Sequence, residues 1–350
     1  MYAIYAARGY TEEIEGVSQE LTTSRVAALE GESSSCEHAA SSFRHEMLFY
    51  EDGDHGFLDG TLDLVESAIA AQAAVYVAVT PARAVALREA LGDHAERVHF
   101  ADMPRLGRNP ARIIPMWQAF VSERASGNGR ALGIGEAAWA GRSAAELAEC
   151  ERHEALLNVA FAGGPAWHML CPYDLDALED HVIVAAKHMH PLLSWDGESH
   201  DNEDYACAHE PPRPFAGTLP PPRGPLEELE FASADLAQVR HLVSDWARAQ
   251  ELPGDAVDEL VLAVDELATN SIRYGGGAGT LRCWREADIL QCEVQDAGWI
   301  TTPLVGRTRP ASDAHSGRGM WLANQLCDLV QIRSTPAGSV VRVHKLIAPQ

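Results

Sequence analysis

This chain of 350 residues has no closely spaced cysteine pair, comparatively few basic residues and no long apolar run. Its seven cysteines are odd in number and scattered, with no C-x-x-C, so a disulfide framework is not expected and a reduced, cytoplasmic setting is. Lysine and arginine total 27 against 51 acidic residues, a formal net charge of −24. Such a surface repels phosphate backbones and anionic lipid, which argues against direct nucleic-acid or membrane binding. Solubility is the plain reason for the acidity, with a basic protein partner as the alternative. The longest apolar stretch, around Ala68 to Val79, is broken by Gln72 and is too short to span a bilayer. No basic segment followed by an apolar run opens the chain, so no secretory signal is expected.

What is present is 46% hydrophobic and 22% charged, the balance of a folded soluble protein with room for two cores. Residues 1 to about 42 carry Ser33-Ser34-Ser35, scattered acids and no sustained periodicity, and are expected to form a mobile leader. From His45 strands and helices alternate. MLFYED, AAVYVAV, VHFADM, RALGIGEAAW and WHMLCPY read as strands, separated by helices over Leu58–Ala71, Pro81–Leu91, Arg112–Arg124 and Ala144–Phe161, with a last helix over Leu175–Lys187. That alternation predicts a mainly parallel sheet covered on both faces, over residues 43–195. From Asp196 to Pro225 prolines and acids replace branched apolar residues, which predicts a stiff linker.

After it, over 226–350, the pattern is α+β. LEELEF is a short strand, followed by helices over Ala234–Arg248 and Asp255–Tyr274. GTLRCWRE and DILQCEVQD alternate strictly, helix Gly319–Cys327 follows a glycine-rich loop, and LVQIRS and SVVRVHKL form a hairpin. An antiparallel sheet is expected, with helices on one face and the other face free for solvent or a partner.

Three fragments in this last region point to one chemistry. In ELVLAVDELATNSIRY, Val257, Leu260, Val261, Val264, Leu267 and Ala268 mark a buried stripe, and Glu266 and Asn270 project together from its flank, about 40° apart. An amide carbonyl suits a magnesium ion that keeps its waters, and a neighbouring carboxylate can orient or deprotonate an attacking group. Asp296 ends an alternating strand and precedes Ala297-Gly298, where a carboxylate can accept from an exocyclic amine while glycine admits a flat base. Ser316-Gly317-Arg318-Gly319 opens an apolar helix, an arrangement that offers backbone N–H groups to phosphate. Taken singly, each has a bland reading: a solvated helix face, a common Asp-x-Gly turn, a flexible hinge. Their order, and the element each occupies, tell against that reading for the set.

With those residues in view, the region 226–348 resembles the GHKL (Bergerat) ATPase fold, and most of all the RsbW-type anti-sigma serine kinases. ELVLAVDELATNSIRYGG is similar to that family's N-box, DAG to its first glycine box and GRGMWLAN to its second. The resemblance implies ATP and Mg2+ as cofactors, with Glu266 catalytic, Asn270 binding magnesium and Asp296 reading adenine. Gly298, Gly317, Arg318 and Gly319 would line the nucleotide loops. It also implies a sigma factor and a STAS-type antagonist as partners, the antagonist phosphorylated on serine. One departure matters: the first box usually reads D-x-G-x-G, and Ile300 stands at its second glycine. A β-branched residue cannot take glycine's conformations, so an altered lid and reduced affinity or turnover are expected. A sensor histidine kinase is the alternative, but His241 lies inside the ATP region itself, and His153-Glu154 lies in the β/α region with no paired-helix pattern before Leu226. A sigma-binding module that uses ATP without transfer is a third possibility, and a homodimer is left open.

Residues about 43–192 resemble the MEDS sensory domain, a β/α unit related to RecA-like ATPases, on the strength of HEMLFYED, GEAAWAGRSAAELAECERHEALLN and LCPYD. The loop EDGDHG lacks G-x-x-x-x-G-K-[ST], so no P-loop chemistry is expected there. Glu136, Glu149, His153, Cys171 and Asp174 fall near strand ends or on helices, where α/β sheets place ligands. An ordinary ion pair is the simpler reading of Glu149 with His153, and a polar helix end of Lys187-His188-Met189-His190, in preference to metal sites.

Overall fold

The structure, a computed structural model, describes residues 43–124, 130–195, 197–205, 215–311 and 317–347. The expected leader lies outside the described residues, as do 206–214 of the proline-rich stretch and 312–316 of the glycine-rich loop.

The first domain runs β1 (Phe43–Tyr50), α1 (Gly53–Ala70), β2 (Ala74–Val79), α2 (Pro81–Leu91), β3 (Val98–Asp102), α3 (Ile113–Arg124), β4 (Ala131–Gly135), α4 (Ala144–Phe161), β5 (Trp167–Asp174), α5 (Asp180–Met189), β6 (Leu192–Trp195) and β7 (Glu198–Asp201). Its sheet has the order β3-β2-β4-β5-β1-β6-β7, parallel except for β7. Both faces are covered, as a mainly parallel sheet requires. Met47 and Met169 point into a cluster with Trp117, Leu157 and Phe161, while the adjacent Leu48 and Leu170 point into another with Phe57, Val65 and Leu87. Gly133 and Gly135 on β4 admit the fully buried Trp117 ring; a Cβ at Gly133 would lie 2.8 Å from it. Local signals agree with these elements. Pro81 begins α2, and Ser143 with Glu146 forms a capping box at the start of α4.

Two expectations need correction here. The sheet continues past residue 195: Glu198–Asp201 turns back at Gly197 (φ +77°) and pairs antiparallel with β6. Strands of four residues are too short to show a periodicity. The last helix starts at Asp180, not Leu175, because the Asp174 carboxylate accepts from the backbone N–H groups of Asp176 and Ala177 and holds a turn there.

The second domain comprises β8 (Leu226–Ala232), α6 (Leu236–Ala249), α7 (Gly254–Tyr274), β9 (Ala278–Glu286), β10 (Ile289–Asp296), α8 (Arg318–Leu326), β11 (Leu329–Thr335) and β12 (Gly338–Leu346). Its sheet, β11-β12-β10-β9-β8, is antiparallel throughout. Leu281, Cys283, Leu290, Cys292, Val294, Val341 and Val343 pack under the three helices. The opposite face is not free. Glu293, Gln331, Arg333, Arg342 and His344 are buried there, with Arg342 donating to the Pro220 carbonyl (2.8 Å) and Arg333 to Glu149 (3.0 Å). The proline-rich segment and the first domain lie against charges on the face that the alternating pattern left to solvent or a partner.

Among the described residues no helix is long and apolar enough to cross a membrane. The described cysteines, Cys150, Cys171, Cys283, Cys292 and Cys327, are buried thiols.

Candidate functional site

Helix α7 buries Val257, Leu260, Ala263, Val264, Leu267, Ala268 and Ser271, leaving Glu266 and Asn270 half-buried on the flank. Gly319, in the first turn of α8, packs against both: a Cβ there would lie 2.5 Å from Glu266 Oε2 and 3.2 Å from Asn270 Nδ2. The carboxylate, the amide and the start of α8 therefore meet in one place. Gly317 caps α8 with φ +84°, a left-handed conformation that glycine adopts without strain, and Arg318 is exposed beside it.

Asp296 closes the other side. Its Oδ2 accepts from Ser271 Oγ (2.6 Å) and its Oδ1 from the Gly298 N–H (2.8 Å). Gly275, at the end of α7, makes this approach possible, since a Cβ would fall 2.7 Å from Asp296 Oδ2. The Ala297 N–H then donates to the Gly275 carbonyl (3.1 Å), tying the end of α7 to the end of β10. Two hydrogen bonds leave further lone pairs on the Asp296 carboxylate for a ligand. A Cβ on Gly298 would lie 2.9 Å from the Tyr274 carbonyl oxygen, so a larger residue has no room. The Ile300 N–H donates to Ser334 Oγ (2.8 Å), tying this point of the loop to β11, and its side chain packs on the core, a contact that a glycine lacks. These residues fit an adenine nucleotide with its magnesium: an amide and a carboxylate side by side, an acceptor at a strand end, and a helix opened by Gly317 and Gly319.

The first domain grips this assembly from behind. Asn109, fully buried, donates to the carbonyl and to the side-chain oxygen of Asn324 on α8 (3.1 Å each). Arg112 donates to the carbonyls of Asn324, Gln325 and Cys327 (2.7 Å each), partnering the last carbonyls of α8 with a cation. Asn324 in turn donates to the Gly306 carbonyl in the glycine-rich loop (3.0 Å). On α4, Glu149 accepts from Arg333 (3.0 Å) and lies 3.7 Å from Arg307 of that loop. Glu149 thus turns to the second domain and not to His153, both of whose buried ring nitrogens are without a partner. Asn109, Arg112, Asn324, Arg307, Arg333 and Ser271 escaped sequence reasoning. For Ser271 the signal was its place on the buried stripe of α7; for the others, first-domain to second-domain partners 158 to 215 positions away leave none.

Elsewhere in the first domain, Arg83 links two of the expected strand-end carboxylates, bonding Glu136 and donating to Asp174 (2.7 Å). Burial pushes the Glu136 pKa up against the pull of Arg83. Cys171 is buried beside His45, Glu154 and His190, and burial pushes the two imidazoles down, to about 4 for His45 and about 3 for His190. His190 leaves its neighbours in the Lys187–His190 run: it is fully buried, while Lys187 pairs at the surface with Asp204 (2.6 Å).

Fold and site together define a two-domain protein in which a β/α module is built against the helix and loop of an α+β domain that bring Glu266, Asn270 and Gly319 together. Comparison with known families agrees. Residues 44–191 match the MEDS family, the MEthanogen/methylotroph, DcmR Sensory domain, and residues 229–345 match the histidine kinase-like ATPase domain. Residues 44–191 are thus a MEDS domain, and residues 229–345 a histidine kinase-like ATPase domain of GHKL type. No curated protein matches it. Fourteen chains of solved structures do, among them the RsbU and RsbW domains of Rv1364c from Mycobacterium tuberculosis. That structure is 12% identical with a TM-score of 0.27, over 35% of this chain and 32% of that one, so the chain spans about a third of its length.

Proposed function

We propose that this protein is an anti-sigma regulator that binds Mg-ATP and transfers phosphate to a serine of an antagonist protein, under control of its MEDS domain. The observation that carries it is the meeting of Glu266, Asn270 and Gly319 next to Asp296, within a domain of the histidine kinase-like ATPase family. Asn270 would hold the magnesium, which supplies charge neutralisation on the phosphates. Asp296 would accept from adenine, and Gly298, Gly317, Arg318 and Gly319 would line the phosphate loops. Glu266 would take the proton of the incoming serine hydroxyl. A sigma factor and a STAS-type antagonist are the partners this reading requires. The chain's acidity argues against nucleic acid as one.

The histidine-kinase alternative needs an accessible phosphoacceptor. His153 is fully buried, and His241 is exposed but sits on α6, within the ATPase domain itself. Incubation with γ-labelled ATP and candidate antagonists separates the readings. Label is expected on an antagonist serine; label on the protein's own histidine overturns the reading, and none at all supports a binding module without transfer.

The grip on α8 suggests how sensing reaches the site. With Gly319 against Glu266, a triphosphate enters only if the first turn of α8 withdraws, and Arg112 and Asn109 hold that helix in place. Arg112→Ala is therefore expected to speed release of a fluorescent ATP analogue about tenfold in stopped flow, the loss of one strong charged hydrogen bond's worth of restraint. Unchanged rates would remove the first domain from control of the site.

A further inference from the structure

One cluster in the first domain has no part in the reading above. His45 on β1, Glu154 on α4, Cys171 on β5 and His190 after α5 each place a ligand atom within 4.8 Å of the others, and all four side chains are buried. We propose that His45, Glu154, Cys171 and His190 hold a single divalent transition ion of the zinc class.

The spacing is that of a tetrahedron's edges. Nitrogen, oxygen and sulfur ligands at ordinary zinc distances stand about 3.3–3.7 Å apart around the ion. The separations here are 3.2 Å from His45 Nε2 to Glu154 Oε2 and 3.4 Å from His190 Nε2 to the same oxygen. Cys171 Sγ lies 3.5 Å from His45 Nε2 and 3.8 Å from Glu154 Oε2.

The surroundings aim each ligand inward. His190 Nδ1 lies 2.7 Å from the Ala186 carbonyl, which can only accept, so this nitrogen carries the proton and Nε2 presents its lone pair. His190 Nε2 has no hydrogen-bond partner. His45 Nδ1 lies 3.0 Å from Asn158 Oδ1, and that amide is oriented by its own Nδ2 donating to the Met189 carbonyl (2.9 Å), so His45 Nε2 also presents a lone pair. Tyr173 donates to Glu154 Oε1 (3.1 Å), leaving Oε2 for the centre. Three acceptor atoms thus converge on one point, with the Cys171 thiol the remaining ligand, and a cation resolves what is otherwise repulsion. Hydrogen-bond partners of this kind are what orient ligands at metal sites.

Two imidazoles, one thiolate and one carboxylate suit zinc, and four protein ligands leave no open position, so the site serves stability or sensing and not hydrolysis. Its reach toward the ATPase domain is short: Glu154 lies on α4 five positions beyond Glu149, which holds Arg333 and Arg307. This last step rests on the regulatory reading above; the ion site does not.

The test uses the full chain, stripped with chelator and titrated with Zn2+ or Co2+. One ion per chain by elemental analysis is expected, with the visible spectrum of tetrahedral Co2+ and a thiolate charge-transfer band that Cys171→Ser abolishes. Tyr173→Phe, which leaves every ligand and the core shape in place, is expected to weaken Zn2+ binding about 10- to 100-fold. A full chain that folds but takes up no metal overturns the proposal. So does a charge-transfer band that persists in Cys171→Ser, or a Tyr173→Phe affinity equal to wild type. None of these readouts depends on phosphoryl transfer, so a protein that binds zinc but phosphorylates nothing leaves the site standing.

Discussion

Replacing Glu266 by alanine is expected to slow phosphoryl transfer about 10²- to 10⁴-fold while nucleotide binding changes little. The geometry gives the asymmetry. The Glu266 carboxylate is one turn from Asn270 and in contact with the backbone of Gly319, so it faces the place where a terminal phosphate and an attacking hydroxyl would meet. A general base contributes to the transition state and little to ground-state binding, so its removal lowers the rate and spares affinity. Glu266→Gln, of the same shape, is expected to show the same loss of rate. Single-turnover transfer with calorimetric nucleotide affinity on the same preparations decides the matter, and transfer at the wild-type rate in both variants takes Glu266 out of the chemistry.

Asp296→Ala is expected to do the reverse in one respect: nucleotide affinity falls about 100-fold, and transfer falls with it at subsaturating ATP. A hydrogen bond to an ionised group is worth about 1.5–3 kcal/mol, and each 1.4 kcal/mol is a factor of ten in affinity. A structural cost comes with it. Asp296 accepts from Ser271 and Gly298, joining α7 to the strand-end loop, and its loss leaves the Gly298 N–H without that acceptor. A drop of about 1–3 kcal/mol in the stability of the second domain is expected. Denaturant melts measured alongside calorimetry separate the two losses, because saturating nucleotide rescues the wild type and does not rescue a chain that no longer binds it. Wild-type affinity in Asp296→Ala removes this carboxylate from base recognition.

Most of the secondary structure was legible because its signals are local. Helices Pro81–Leu91 and Ala144–Phe161 have the bounds expected from the sequence, and the structure shows why the signal is local: a proline opens the one and a Ser143-x-x-Glu146 cap the other. The strands of the second domain declare themselves by strict alternation, as Leu290, Cys292 and Val294 do. β6 and β7 were illegible for the opposite reason: four residues each, paired to one another through a tight turn, with little pattern to read. The convergence of Glu266, Asn270, Asp296 and Gly319 could be anticipated, since three of the four lie on elements whose faces the hydrophobic pattern had assigned. Ser271 completes the Asp296 network from a position that reads as ordinary core.

The sequence by itself determined two folded units, the main architecture of each and the residues gathered at the Asp296 end of the second sheet's central strand. Periodicity, capping and turn chemistry act over a few residues and are written in their order. Only the tertiary structure decided what those units do to one another. Arg112 meets the end of α8 across 212 to 215 positions of chain, Glu149 meets Arg333 across 184, and His45 meets Glu154 across 109. Contacts at such separations depend on how whole faces pack and on which buried charges must find partners. No local pattern encodes them, because no local interaction stabilises them.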